Sequence, residues 1–152
     1  MKNSEIDRFD TLILQALSQE GRLTVTELSK RVGLSKTPCQ VRMKRLLSER
    51  YILGFKAVLN PAKVSLEQVL FVEVKLKQTN HLALSEFNEA ALKITEIEQC
   101  HMIAGSFDYL LKIRTKDMSA YRELLGKVMS SLPHVDTTST HVSMQAIKDI
   151  IS

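Results

Sequence analysis

Gln40 and Lys44 lie four residues apart in the stretch SKTPCQVRMKRLLSER, residues 35–50. At about 100° per residue, a helix there puts both on one face. A glutamine amide can pair in bidentate fashion with an adenine edge, and a lysine ammonium with guanine acceptors, so this face suits the major groove of duplex DNA. Thr37 and Ser48 continue it, with Val41 and Arg45 on its flank, while Cys39, Met43, Leu46 and Leu47 gather on the apolar side. With Ser35 as the N-cap, the helix runs on from Lys36. The Ser35 and Thr37 hydroxyls then sit where unpaired backbone N–H groups already favour an anion such as a DNA phosphate. Lys36, Arg42, Arg45 and Arg50 would add electrostatic positioning. A solvated helix surface with no partner is the alternative reading of the same pattern.

The remaining reactive side chains form no such constellation. Cys100-His101 invites a metal pair or a thiol–imidazole dyad, but neighbours on a strand point to opposite faces, so the two cannot readily converge on one atom. His81, His134 and His141 have no ligand spacing, and Cys39 falls on the apolar side of its helix. Met102, Met118, Met129 and Met144 read as packing residues. No catalytic group, metal site or cofactor is expected.

Two short helices hinged at Gly33-Leu34 would position the Gln40/Lys44 face. Thr24-Val25-Thr26-Glu27 reads as a capping box that launches a helix to about Val32, and Gly33 ends it. Pro38 falls in the first turn of the following helix, where its missing N–H has no intrahelical acceptor to lose. Upstream, Phe9, Leu12, Ile13, Ala16 and Leu17 make one apolar stripe of a helix over residues 6–19, with Gly21 as its stop. Two helices across a tight glycine turn, the second polar and basic outside, form a helix-turn-helix. Residues 51–59 (YILGFKAVL) are β-prone around Gly54 and predict a small hairpin, a wing, with Lys56 placed to meet phosphate. Asn60-Pro61 then breaks the pattern. The expected organisation is a winged helix-turn-helix domain over residues 1–59, a linker over 60–68, and a second domain over 69–152.

That second domain alternates strands and helices. Residues 69–77 put Phe71, Glu73, Lys75 and Lys77 on one face and Val72, Val74 and Leu76 on the other. Leu84, Phe87, Ala91 and Ile94 mark a helix. Strands over residues 99–104 and 107–114 flank a Gly105-Ser106 turn, where glycine would let the backbone approach a ligand. Asp117 caps a helix carrying Met118, Tyr121, Leu124, Leu125, Val128 and Met129, which Leu132-Pro133 closes. A last strand covers residues 135–144, and residues 145–151 add a short helical tail. The order β-α-β-β-α-β is the ferredoxin-like split unit, so the chain as a whole is α+β. Its helices cover one sheet face. An exposed apolar face opposite would be an aggregation hazard, and a second copy is the simplest cover, which implies a two-fold dimer meeting two DNA half-sites.

Composition bounds these readings. At 152 residues, 44% hydrophobic and 25% charged, the chain has an ordinary globular make-up rather than that of a disordered or membrane protein. No apolar run approaches a membrane span, and the mixed-charge MKNSEIDRFD start shows no signal peptide. Two distant cysteines form neither a disulfide framework nor a metal pattern, in keeping with reduced thiols in a cytoplasm. Residues 1–60 hold 11 Lys/Arg against 6 Asp/Glu, and residues 61–152 hold 10 against 11. The basic character therefore belongs to the helix-turn-helix portion, which suggests a polyanion partner for that part alone.

A winged helix-turn-helix followed by a βαββαβ module resembles the leucine-responsive regulatory protein/AsnC family of transcription regulators, over almost the whole chain. The residues that carry the resemblance are Ile6-Asp7, Gly21-Arg22, Leu28 through Ser35, Thr37-Pro38-Cys39, Arg42, Arg45-Leu46 and the Gly105-x-Phe107-Asp108-Tyr109-Leu110 turn. Lys36 through Gln40 and Glu98 through Gly105 are similar to the branch that activates proline dehydrogenase genes in response to proline. The resemblance implies an amino-acid effector and a homodimer assembling to an octamer. It also implies an effector site built from Met102, Gly105, Ser106, Phe107 and Asp108 with Thr137, Thr138, Ser139 and Thr140. The leucine-responsive branch has an acidic residue after the turn glycine; Ser106 offers only a neutral hydroxyl, which speaks against leucine. Two other readings remain at this point. Sirohaem decarboxylases resemble the same two-part fold, and an architectural protein could compact DNA with little sequence preference.

Overall fold

Two reciprocal capping boxes set the first helices of the computed structural model, which describes residues 5–148. In α1 (Arg8–Gln19) the Asp7 carboxylate accepts the Asp10 N–H at 2.9 Å and the Asp10 carboxylate accepts the Asp7 N–H at 3.0 Å. In α2 (Val25–Val32) Thr24 Oγ1 accepts the Glu27 N–H at 3.3 Å, and the Glu27 carboxylate accepts the Thr24 N–H at 2.8 Å. Gly33 takes φ 74°, a left-handed conformation natural to glycine. The Gly33 and Leu34 N–H groups both turn back to the Ser29 carbonyl. That reversal launches α3 (Lys36–Ser48). Ile13, Leu17, Leu28, Val32, Cys39 and Leu46 form the buried core of this unit.

The expected stripe of α1 is rotated. Asp10, rather than Phe9, shares the buried side with Ile13, Ala16 and Leu17, and Phe9 is 36% exposed. A larger correction concerns the hairpin expected over residues 51–59. Residues 53–60 contain no strand, and Leu53, Phe55, Val58 and Leu59 are exposed. Two such short segments bury too little by themselves to stabilise a hairpin. Lys56 is exposed on this irregular segment rather than on a hairpin.

The chain divides into two compact units, Met1–Ala57 and Val58–Ser152. The second is built on β1 (Gln68–Leu76), α4 (His81–Ala91), β2 (Ile97–Met102), β3 (Tyr109–Thr115), α5 (Met118–Ser131) and β4 (Val135–Val142). The four strands form one antiparallel sheet in the order β2-β3-β1-β4. Alternate residues Leu70, Val72, Val74 and Leu76 of β1 pack with Phe87 and Ala91 of α4, Tyr121 and Leu124 of α5, and Tyr109, Leu111 and Ile113 of β3. Tyr109 lies against Phe87 with ring centroids 4.2 Å apart, and its hydroxyl donates to Asn88 Oδ1 at 2.8 Å. Asp117 caps α5 through the Ser119 and Ala120 N–H groups, at 2.9 and 2.8 Å.

The opposite sheet face is not the apolar surface that the dimer argument assumed. Beside Val69 and Phe71 it carries Glu73 and Lys75, with Lys112 and Arg114 of β3 and His141 of β4 on the same side by register. Glu98 accepts Arg114 at 2.6 Å and Lys112 at 3.4 Å, and His141 stands 3.3 Å from Glu73. Residues 145–148 form no helix, and the rest of the expected tail, residues 149–151, lies outside the described residues. The Val128 and Met129 side chains of the expected α5 stripe also lie outside them.

Candidate nucleic-acid interface and effector module

Cys39 and Leu46 anchor one side of α3 in the core at 0% exposure. Helical geometry then turns Lys36, Thr37, Gln40, Val41 and Lys44 outward, and all five are exposed. Gln40 and Lys44 thus sit on one outer face, and Val41 is 62% exposed beside them. Ser35 has the extended N-cap backbone, yet its side chain makes no capping hydrogen bond. The first turn of α3 therefore presents backbone donors that no side chain of its cap consumes.

Arg42 and Arg45 depart from expectation. Both are expected to add electrostatic positioning toward DNA, but both are engaged within the unit. Arg42 Nη1 stands 2.6 Å from Asp7 and 2.9 Å from Asp10, and Arg45 is paired with the same Asp10 carboxylate and approaches Glu49 at 4.0 Å. Asp10 is 1% exposed. Burial would raise its carboxyl, but the Asp7 N–H and the Arg45 and Arg42 guanidinium groups outweigh that and hold it at about 2. The same hydrogen bonds push both arginines upward. A carboxylate on the buried stripe of α1 was the available signal, because a buried charge calls for a cationic partner. An open groove of about 580 Å³ follows this cluster, lined by Glu5, Asp7, Asp10, Thr37, Pro38, Val41, Arg42 and Arg45.

In the second unit Asp108 is tied to β1. Its backbone N–H donates to the Val74 carbonyl at 2.9 Å, one carboxylate oxygen accepts the Leu76 N–H at 2.8 Å, and the other accepts Lys75 Nζ at 3.2 Å. Pairing of β1 with β3 ends at Val74–Tyr109, so the Asp108 side chain stands in for the ladder partner that β3 no longer supplies to Leu76. Thr137 and Thr138 pair with Lys75 and Val74 from the other side. The turn residue and the start of β4 thus flank the same three residues of β1.

The remaining expected effector residues are dispersed. Thr137, Thr138, Ser139 and Thr140 alternate across the sheet, so they cannot all line one pocket on one face. Thr140 faces the helices, where its hydroxyl meets the Tyr121 hydroxyl at 2.5 Å, while Ser139 stands 3.5 Å from His141 on the other side. The β2–β3 connection spans residues 103–108 rather than a two-residue turn. Gly105 and Ser106 are exposed there and Phe107 is half-buried. Gly105 has no left-handed φ, and a Cβ on it would meet only Ile103 Cγ2 at 3.6 Å, so the local backbone does not itself demand glycine. Met102, 56% exposed, pairs with Tyr109. Cys100 pairs with Leu111 and His101 with Leu110, on opposite faces as the alternation requires.

Comparison with known proteins accounts for both units. Residues 69–150 match the Lrp/AsnC ligand binding domain and residues 6–52 match a winged helix-turn-helix DNA-binding domain. The chain is 60% identical over 148 residues to a proline dehydrogenase transcriptional activator of Rhizobium radiobacter, covering 97% of this chain and 95% of that protein. It is 46% identical over 144 residues to the leucine-responsive regulatory protein of Escherichia coli strain K12, covering 95% and 88%. Among solved structures, a transcriptional regulator of Neisseria meningitidis in complex with L-methionine aligns with a TM-score of 0.87 at 32% identity, covering 95% of this chain and 94% of that one. With an exposed Gln40/Lys44 face on a helix-turn-helix and a βαββαβ module following it in the sequence, the chain belongs to the Lrp/AsnC family of DNA-binding transcription regulators.

Proposed function

We propose that this regulator reads its operator with the outer face of α3, that proline is its effector, and that a proline dehydrogenase gene is its target. The carrying observation is the polarity of α3: Cys39 and Leu46 are fully buried while Gln40 and Lys44 face outward. Gln40 and Lys44 contact base edges, Lys36, Thr37 and the α3 N-terminus contact phosphate, and Lys56 adds a cation from the following segment. The name of the relative at 60% identity supports proline, and the methionine complex of a structural neighbour supports an amino-acid ligand for the second unit. The exposed 105–106 segment beside Asp108 is the proposed entry to that site. The protein works in the cytoplasm as a homodimer that assembles further, so that an effector binding one assembly state more tightly changes how many half-sites are held.

Selection of sites from random duplex DNA tests the α3 assignment. Lys44→Ala should weaken binding to the selected operator by ~1–3 kcal/mol and relax one position; an unchanged site preference would refute it. A thermal-shift screen of the twenty amino acids tests the effector, since ligand at ~100 times its Kd adds ~2.7 kcal/mol. A shift with another amino acid and none with proline would replace that assignment.

A further inference from the structure

The cluster between α1 and α3 places two cations at the border of the DNA-facing surface and then neutralises them from within. Arg42 is held by Asp7 and Asp10, at 2.6 and 2.9 Å, and also lies over the Phe9 ring, 5.7 Å from its centroid. Arg45 is held by Asp10, whose burial keeps that carboxylate from turning to solvent. The groove along these residues continues to Thr37 and Val41, where the outward face of α3 begins. Arginine at the flank of a major-groove helix ordinarily adds phosphate contacts, which strengthen binding to every sequence alike. Here carboxylates occupy the guanidinium forks first.

We propose that Asp7 and Asp10 act as a restraint on non-specific DNA binding. They hold Arg42 and Arg45 against α1, withhold two cations from the phosphate backbone, and so leave Gln40 and Lys44 to decide where the protein binds. Asp10 is the positioning residue, since it fixes α3 through both arginines. Asp7, whose side chain is 48% exposed, sets the charge balance at Arg42. This inference rests on α3 being the DNA-contacting helix.

Asp7→Asn isolates the charge, because asparagine caps a helix as well as aspartate does. The full-length variant and the wild type are titrated with a random-sequence duplex and with the selected operator between 50 and 200 mM salt. On random DNA the log–log salt slope should steepen by about 0.9, one more phosphate contact, so that lowering the salt from 200 to 50 mM strengthens the variant by about 3.5-fold more than the wild type. The ratio of operator to random-DNA affinity should fall. Combining Asp7→Asn with Arg42→Met should return the slope to that of Arg42→Met alone. A slope equal to wild type would overturn the proposal, as would weaker binding at all salt concentrations with no change of slope, the mark of a purely structural role. So would a steepening that persists without Arg42, which would indicate a diffuse charge effect. Failure of the underlying α3 assignment would show separately, as an unchanged operator preference in Lys44→Ala.

Discussion

Replacing Asp10 by asparagine should loosen the helix-turn-helix by a calculable amount and with a definite pH dependence. The folded carboxyl titrates at about 2 against an ordinary 3.8. At 1.36 kcal/mol per pH unit, that displacement is worth about 2 kcal/mol at neutral pH. Because the folded value lies below the unfolded one, the unfolded chain takes up the proton first as pH falls. The contribution is therefore complete above about pH 5, roughly half gone near pH 3, and lost as pH passes through 2. Asparagine keeps one acceptor but turns an N–H2 toward a guanidinium, so the total loss should reach about 2–4 kcal/mol, as when one side of a buried ion pair is removed. Amide hydrogen exchange in α1 and α3 reads this opening separately from that of the sheet. At pH 7 the Ile13 and Leu46 amides should exchange at least roughly 30-fold faster in the variant, at 1.4 kcal/mol per decade. Near pH 3 the gap should be about six-fold smaller than at pH 7, because roughly half of the linked contribution is already gone in the wild type. Unchanged protection at pH 7, or an equal deficit at both pH values, would refute the coupling of Asp10 to Arg42 and Arg45.

Two further substitutions test the frame around each site. Gly33→Ala should cost ~1 kcal/mol, seen in exchange from α2, because φ is 74° while nothing lies within 4 Å of the added Cβ; the penalty is conformational alone. Asp108→Ala orphans the Leu76 N–H and should lower stability by ~1–3 kcal/mol in denaturant unfolding followed by circular dichroism, whereas Asp108→Asn, which can still accept that N–H, should lose less.

How much was legible follows the range of each interaction. The Thr24/Glu27 box spans three residues, and the two sides of α3 follow from helical period alone, so both could be read directly. The Asp7/Asp10 box was equally local but was obscured by starting the helix at Ile6. Strand alternation across residues 137–140 was also readable. It already excluded a single pocket formed by all four side chains, although the family resemblance had grouped them. The hairpin expected over residues 51–59 is absent for the opposite reason: β-prone residues describe a tendency, and strands require partners that this segment lacks among the described residues.

The sequence by itself determined the caps, the helical faces and the concentration of positive charge in the first sixty residues, because each depends on chemistry within a few residues or on simple counting. Only the tertiary structure decided that Arg42 and Arg45 answer to Asp10, and that Asp108 completes β1 where its pairing with β3 ends. Those pairs join residues more than thirty positions apart. Folding must first bring such groups within hydrogen-bonding distance before Coulomb attraction can choose among the possible partners.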